Sequence, residues 1–194
     1  VKFSGISWLE DGFYYSRFEE TKKGSELSQA NENHKVYFHK LGTKQEEDKL
    51  IYEDKEHPKR SFAMSVTEDE RFLLLYGYES TSGNSLYFRD LKNKDISFKP
   101  IVTGFENNYV AIDNLGDNLL IQTDKDAPKY RVILIDPNKP AEEKVIIPEK
   151  EDVLESISVA NEKLAAKYLK DVSNKIFIYS VSGELIFETE LPGL

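Results

Sequence analysis

The chain has 194 residues, of which 39% are hydrophobic, and a formal net charge of -9. That length buries one or two modest cores, and the acidic balance argues against nucleic acid, which needs a clustered basic surface to displace counterions from phosphate. With no cysteine, disulfides, thiolate nucleophiles and cysteine metal sites are excluded, while a reducing cytoplasm and an oxidising periplasm both stay open.

The opening stretch "VKFSGISW" has neither the basic head nor the long apolar core of a signal peptide, and no apolar run approaches the roughly eighteen residues of a spanning helix. No membrane partner is expected. The missing initiator Met points to a piece of something longer, so a targeting segment upstream is not excluded and the compartment stays open.

Four acidic or glycine turns recur along the chain, each between apolar strands. "SWLEDGFYYSRF" turns at Asp11 and Gly12, "AMSVTEDERFLLLYGY" at Asp69 and Glu70, "VAIDNLGDNLLIQT" at Gly116 and Asp117, and "ISVANEKLAAKYL" at Asn161 and Glu162. The last two intervals match the roughly 40 to 50 residues of a four-stranded propeller blade. Polar residues 19–34 lengthen the first interval as an inserted loop. After each pair come a third and a fourth strand: "KVYFHKL" and "DKLIYED", "SLYFRDL" and "KPIVTGF", "YRVILID" and "KVIIPE", "KIFIYSV" and "ELIFETE". The pattern predicts an all-β fold of about four four-stranded antiparallel blades, near 1–55, 60–105, 107–149 and 152–192. Helix competes only at 161–171, where Leu164, Ala165, Ala166, Tyr168 and Leu169 have reasonable helix propensity, and the repeat decides for strand.

Candidate chemistry is sparse. The chain contains no G-x-S-x-G, no G-x-x-x-x-G-K-[ST] and no H-E-x-x-H, so no nucleophile, cofactor or metal site is expected. His34 and His39 are five apart on a strand and point to opposite faces, and His57 lies in the charged loop "EDKEHPKRS"; all three read as surface or strand-edge residues. The acid pairs Glu46 and Glu47, Glu142 and Glu143, and Glu151 and Asp152 read as solvated loop residues. In "TDKDAPKYR", 123–131, Pro128 reads as holding a connecting loop extended, with Asp124, Asp126 and Lys129 solvating it.

Six stretches in register carry a resemblance: "VKFSGISWLEDGFYYSRF" (1–18), "HKVYFHKLGTKQEED" (34–48), "TDKDAPKYRV" (123–132), "IIPEKEDVLE" (146–155), "YLKDVSNKI" (168–176) and "ELPGL" (190–194). Together they resemble the β-propeller domain of the prolyl oligopeptidase (prolyl endopeptidase) family. The resemblance implies an open arc of about four blades from a seven-bladed propeller. That propeller caps an α/β-hydrolase domain, absent here, which carries the Ser-Asp-His triad of a serine peptidase cleaving short peptides after proline. It implies a non-catalytic role in gating substrate access, with the peptide and the catalytic domain as partners. By motif match, Phe3 is the substrate-facing candidate, followed by the region around Ser61 and Thr81, which departs from the family pattern. A related oligopeptidase with basic-residue specificity is not separated by these residues. The other class of reading is a free-standing propeller that binds a protein or ligand. Blade faces left without neighbours imply self-association.

Overall fold

The computed structural model describes residues 4–19, 31–171 and 173–189. Its sixteen strands form four sheets, each an antiparallel meander of four strands in chain order. The first sheet is β1 (Ile6–Leu9), β2 (Gly12–Arg17), β3 (Lys35–Lys40) and β4 (Lys49–Glu53), and the second is β5 (Ser61–Val66), β6 (Phe72–Tyr78), β7 (Ser85–Asp90) and β8 (Lys99–Val102). The third comprises β9 (Tyr109–Leu115), β10 (Asn118–Thr123), β11 (Arg131–Ile135) and β12 (Glu143–Ile147), and the fourth β13 (Val153–Ala160), β14 (Lys163–Lys170), β15 (Ser173–Ser180) and β16 (Leu185–Thr189). The chain divides into two compact units between Glu106 and Asn107, with two sheets in each. Among the described residues no helix is long and apolar enough to cross a membrane.

In the first unit, Phe72, Leu73, Leu74, Leu75 and Tyr76 of β6 are all buried. Consecutive burial, in place of alternation, requires cover on both faces of a strand, and "FLLLYGY" is accordingly a continuous apolar run. Leu75 packs with Val36 of β3 and Phe62 of β5, ringed by Tyr52, Met64 and Tyr87. Burying each such side chain contributes about 1.5 to 3 kcal/mol. Hydrogen bonds stitch the two sheets together: Val66 N donates to Ser7 Oγ at 2.9 Å, Phe62 N to His34 Nδ1 at 2.8 Å and Glu10 N to Glu70 Oε1 at 3.3 Å.

In the second unit, Leu120 and Val132 of the third sheet share a core with Leu154, Leu164, Ala166 and Tyr168 of the fourth. Gln122 Nε2 crosses that core to donate to Leu154 O at 2.8 Å. The segment 161–171, where helix competed, is strand β14, paired over its whole length with β15. Leu164, Ala166 and Tyr168 are its buried residues, a period of two that no helix could place on one face. The β13–β14 turn falls on Asn161 (φ 47°) and Glu162 (φ 57°), the left-handed pair of a tight hairpin.

The first turn differs from expectation by one residue. Gly12 is the first residue of β2 and pairs with Leu9, so the turn residues are Glu10 and Asp11, with Glu10 left-handed at φ 50°. Glycine is needed at position 12 for close approach, because a Cβ there would collide with His39 O and the Phe38 ring. The loop 124–130 is also corrected. It is not extended: Ala127 N donates to Asp124 O (3.0 Å) and Tyr130 N to Ala127 O (2.7 Å), closing two successive turns with Pro128 at the second position of the latter. Ala127 is buried between them. Asp124 is not merely solvated, since its carboxylate accepts from Asn108 N at 2.7 Å and Asn108 Nδ2 at 2.5 Å. Lys129 docks the loop on the next segment, donating from N to Glu149 Oε1 (2.6 Å) and from Nζ to Glu151 O, while its own carbonyl accepts from Leu154 N (3.0 Å).

Candidate functional site

The outer rows of the first sheet are aromatic. Register places Trp8 opposite Phe13 and Phe13 opposite His39, with ring centroids 5.2 Å apart in both contacts. The adjacent row is Ile6, Tyr15 and Tyr37, the two tyrosines stacked at 5.8 Å. Cross-strand aromatic pairs of this kind stabilise an antiparallel sheet. Where the two rows meet the β3–β4 connection they border an open pocket of 330 Å³ lined by Ser4, Ile6, Phe13, Tyr15, His39, Gln45 and Asp48.

The floor of the pocket is a carboxylate. Asp48 follows a single 3-10 turn at Gln45–Glu47, which brings it back beside the strand that carries His39. Its side chain is only 2% exposed, and both oxygens are engaged: Oδ1 lies 2.6 Å from His39 Nδ1, and Oδ2 accepts from Tyr15 Oη at 2.6 Å. Gln45 Nε2 donates in turn to Tyr15 Oη at 3.4 Å. Burial, and then Asp48 accepting its proton, raise the phenol of Tyr15 above its ordinary value. A carboxylate has only acceptors to offer, so the proton shared with His39 resides on Nδ1. The His39 side chain is 20% exposed. Ser4 supplies no nucleophile to the imidazole: its hydroxyl donates to Gly5 O (2.7 Å) and accepts from Ser16 N (2.9 Å).

His34, at the other end of β3, is corrected from a surface residue to a buried one. It is 2% exposed, stacks on Phe18 at 4.2 Å between centroids and accepts Phe62 N–H on Nδ1. Its Nε2 has no hydrogen-bond partner among the described residues, and burial depresses its pKa to about 4. His57 lies in its loop as expected, beside Asp54 at 3.0 Å.

Two of the acid pairs are also corrected. Glu143 is a strand residue bound to Arg131 at 2.5 Å and Lys125 at 3.3 Å, and Glu47 sits in the 3-10 turn with its carboxylate on Lys44 N at 3.4 Å. Neither pair presents two free carboxylates to a common space. Lys150, which follows Glu149, has its ammonium over three rings of the fourth sheet, Phe177 (4.5 Å), Tyr179 (5.1 Å) and Tyr168 (5.3 Å). Those contacts anchor the β12–β13 connection. No group of three or more His, Asp or Glu is arranged to hold a metal ion among the described residues.

Of the residues singled out by motif, Phe3 lies outside the described residues. Ser61 opens β5 opposite Tyr78, and Thr81 is exposed in the β6–β7 connection; neither joins the pocket. His39, Asp48 and Tyr15 were not paired by sequence reasoning. The available signal was the segment "HKLGTKQEED", which places a carboxylate nine residues after a strand histidine across a short hairpin connection.

Comparison with known proteins identifies the chain's relatives. The family model described as "Prolyl oligopeptidase, N-terminal beta-propeller domain" matches residues 1–194. A prolyl endopeptidase from Elizabethkingia miricola is 45% identical over 196 residues, covering 100% of this chain and 28% of the relative, and prolyl oligopeptidase A from Galerina marginata is 35% identical, covering 94% and 27%. The solved structure of prolyl oligopeptidase B from Galerina marginata bound to a 35mer hydrolysis and macrocyclization substrate superposes with a TM-score of 0.89 at 34% identity, over 97% of this chain and 27% of that one. The chain thus spans little more than a quarter of the length of these relatives. It belongs to the prolyl oligopeptidase family, and its four sheets are those of that family's N-terminal β-propeller.

Proposed function

We propose that this chain is the non-catalytic propeller portion of a serine peptidase that cleaves short peptides after proline, and that it gates access to the active site. The observation that carries the reading is the family match along all 194 residues, with relatives that are prolyl endopeptidases and more than three times as long. The Ser-Asp-His triad then belongs to an α/β-hydrolase domain of the same protein, which is the propeller's partner. The physical logic is that a peptidase needs a dry cavity with preorganised donors, and a cap limits which chains reach it. The blades take the bounds 1–55, 60–105, 107–149 and 152–192, and Phe3 faces the substrate.

The test compares the 194-residue chain with its full-length parent on a short proline-containing reporter peptide and on a folded protein bearing the same cleavage site. The parent cuts the reporter and spares the folded protein; the chain alone cuts neither. Cleavage by the chain alone, or a parent without a nucleophile elbow, overturns the reading. Alone, the chain self-associates through exposed blade faces, a reading supported by Leu185, Ile186 and Phe187 of β16, all open to water. Light scattering that gives a strict monomer at high concentration removes this last element.

A further inference from the structure

We infer that the polar pocket beside His34 holds a bound water, which accepts the Nε2–H of the buried imidazole and donates to the carboxylates around it. The proton on Nε2 follows from the neighbour at the other ring nitrogen. Phe62 N–H is a backbone donor and reaches Nδ1 at 2.8 Å, so Nδ1 offers the lone pair and the ring's proton sits on Nε2. His34 is 2% exposed, and that N–H has no hydrogen-bond partner among the described residues. Leaving a buried donor unmet costs more than a hydrogen bond returns, and folded chains almost always give it an acceptor from protein or from water.

The pocket measures 220 Å³, and His34, Glu19, Lys35, Glu53, Asp54 and Lys55 are among the residues that line it. It lies where β3 begins and β4 ends, beside the Lys35–Glu53 pair. His34 and Asp54 both turn toward the second sheet, the one to Phe62 and the other to Arg60 at 3.2 Å. The charges around the space are already matched: Lys35 Nζ lies 2.8 Å from Glu19 and 3.4 Å from Glu53, and Lys55 Nζ lies 3.0 Å from Glu53. A cation has no lone pair to offer Nε2–H. An anion would accept that proton but would lie among three carboxylates whose cations are paired with them. A neutral oxygen that accepts one hydrogen bond and donates two meets both conditions, and Glu53, with one ion-pair contact on each oxygen, keeps lone pairs for it. Water needs two to four polar partners and about 30 Å³, so the pocket takes the water on Nε2 and leaves room for others between it and the exposed Lys55. A water-mediated bond is nearly as favourable as a direct one. Phe62 N–H, the ring and the water thus form a polar relay from β5 across β3 to the end of β4. The site stands on this geometry alone and does not draw on the peptidase reading.

The test is NMR of the isotope-labelled 194-residue chain. The Nε2–H of His34 is assigned through the coupling between Nδ1 and the Phe62 amide across their hydrogen bond. It is expected to exchange with solvent at least about tenfold more slowly than the ring N–H of the exposed His57. It should also show a cross-peak to water whose sign, in laboratory-frame and rotating-frame spectra taken together, is that of a molecule tumbling with the protein and not that of proton exchange. A cross-peak from this proton to a protein side chain in place of water overturns the site. Exchange as fast as at His57 overturns it too, and a slowly exchanging proton with no water cross-peak does so by showing the donor dry. A crystal structure of the same chain gives a second reading: water density within hydrogen-bond distance of Nε2 is expected, and its absence in a well-ordered map overturns the inference.

Discussion

The two ends of β3 hold the same residue type in different surroundings. At the N-terminal end His34 is sealed against Phe18 and takes Phe62 N–H on Nδ1, so its proton is on Nε2. At the C-terminal end the carboxylate of Asp48 lies 2.6 Å from Nδ1 of His39, and the ring is 20% exposed. One ring is a neutral clamp between two sheets; the other lines a pocket beside a buried carboxylate. Neither difference comes from the strand itself. It comes from what the opposite face of the sheet packs against, and from a hairpin connection that returns a carboxylate to one end only.

The largest effect should come from disturbing the C-terminal end through the backbone. In G12A the new Cβ meets His39 O, which is held in the β2–β3 ladder and cannot yield as a side chain would. A loss of roughly 3 kcal/mol is expected in chemical denaturation, at the upper end for overpacking and a sizeable part of a domain's stability. Hydrogen exchange should quicken around Leu9, Gly12 and Lys40 more than at Phe62. Equal midpoints for variant and parent chain would mean that the close packing at Gly12 is not needed.

Acid tests the N-terminal end. With a folded pKa of about 4 against an ordinary 6.5, His34 stays neutral in the folded chain while the unfolded chain takes up a proton. Stability is therefore flat above about pH 6.5, falls as the pH drops toward 4, and has lost roughly 3 kcal/mol from this group once both states are protonated. In H34N the amide oxygen still accepts Phe62 N–H but nothing titrates, so the loss over that range is absent. Parallel stability curves for the two proteins would show that the imidazole is not held neutral.

The repeat of four strands was legible because burial in a blade is a local pattern: β14 keeps Leu164, Ala166 and Tyr168 at alternate positions despite its helix-forming residues. The turn at Asn161 and Glu162 was legible for the same reason, since left-handed geometry falls within a few residues of sequence. Gly12 was misread because glycine serves equally for a turn and for close approach, and only the position of Phe38 across the ladder separates the two uses. The states of His34 and His39 were illegible because they depend on Phe62 and Asp48, one in another sheet and one across a connection. Period-two reasoning put the two rings on opposite faces correctly. It said nothing of which face would be sealed.

Smaller changes at the pocket separate its floor from its rim. Y15F keeps the ring and removes the hydroxyl that donates to Asp48, leaving one oxygen of a buried carboxylate without its hydrogen bond. A hydrogen bond to a charged group is worth about 1.5 to 3 kcal/mol, so a loss of roughly 2 kcal/mol is expected. A change within the error of the unfolding midpoint would mean that water replaces the phenol. K40A removes an ion pair on the same strand, Lys40 Nζ to Asp11 Oδ2 at 2.7 Å, which is geometrically as short as the contacts of Asp48. Both partners are more than half exposed, however, and solvent screens the attraction while the long side chain gives up rotamer freedom to make it. The midpoint should not move, in low salt or in high. A salt-dependent shift in K40A comparable to that of Y15F would show that distance alone, without burial, sets the strength of a charge contact on this sheet.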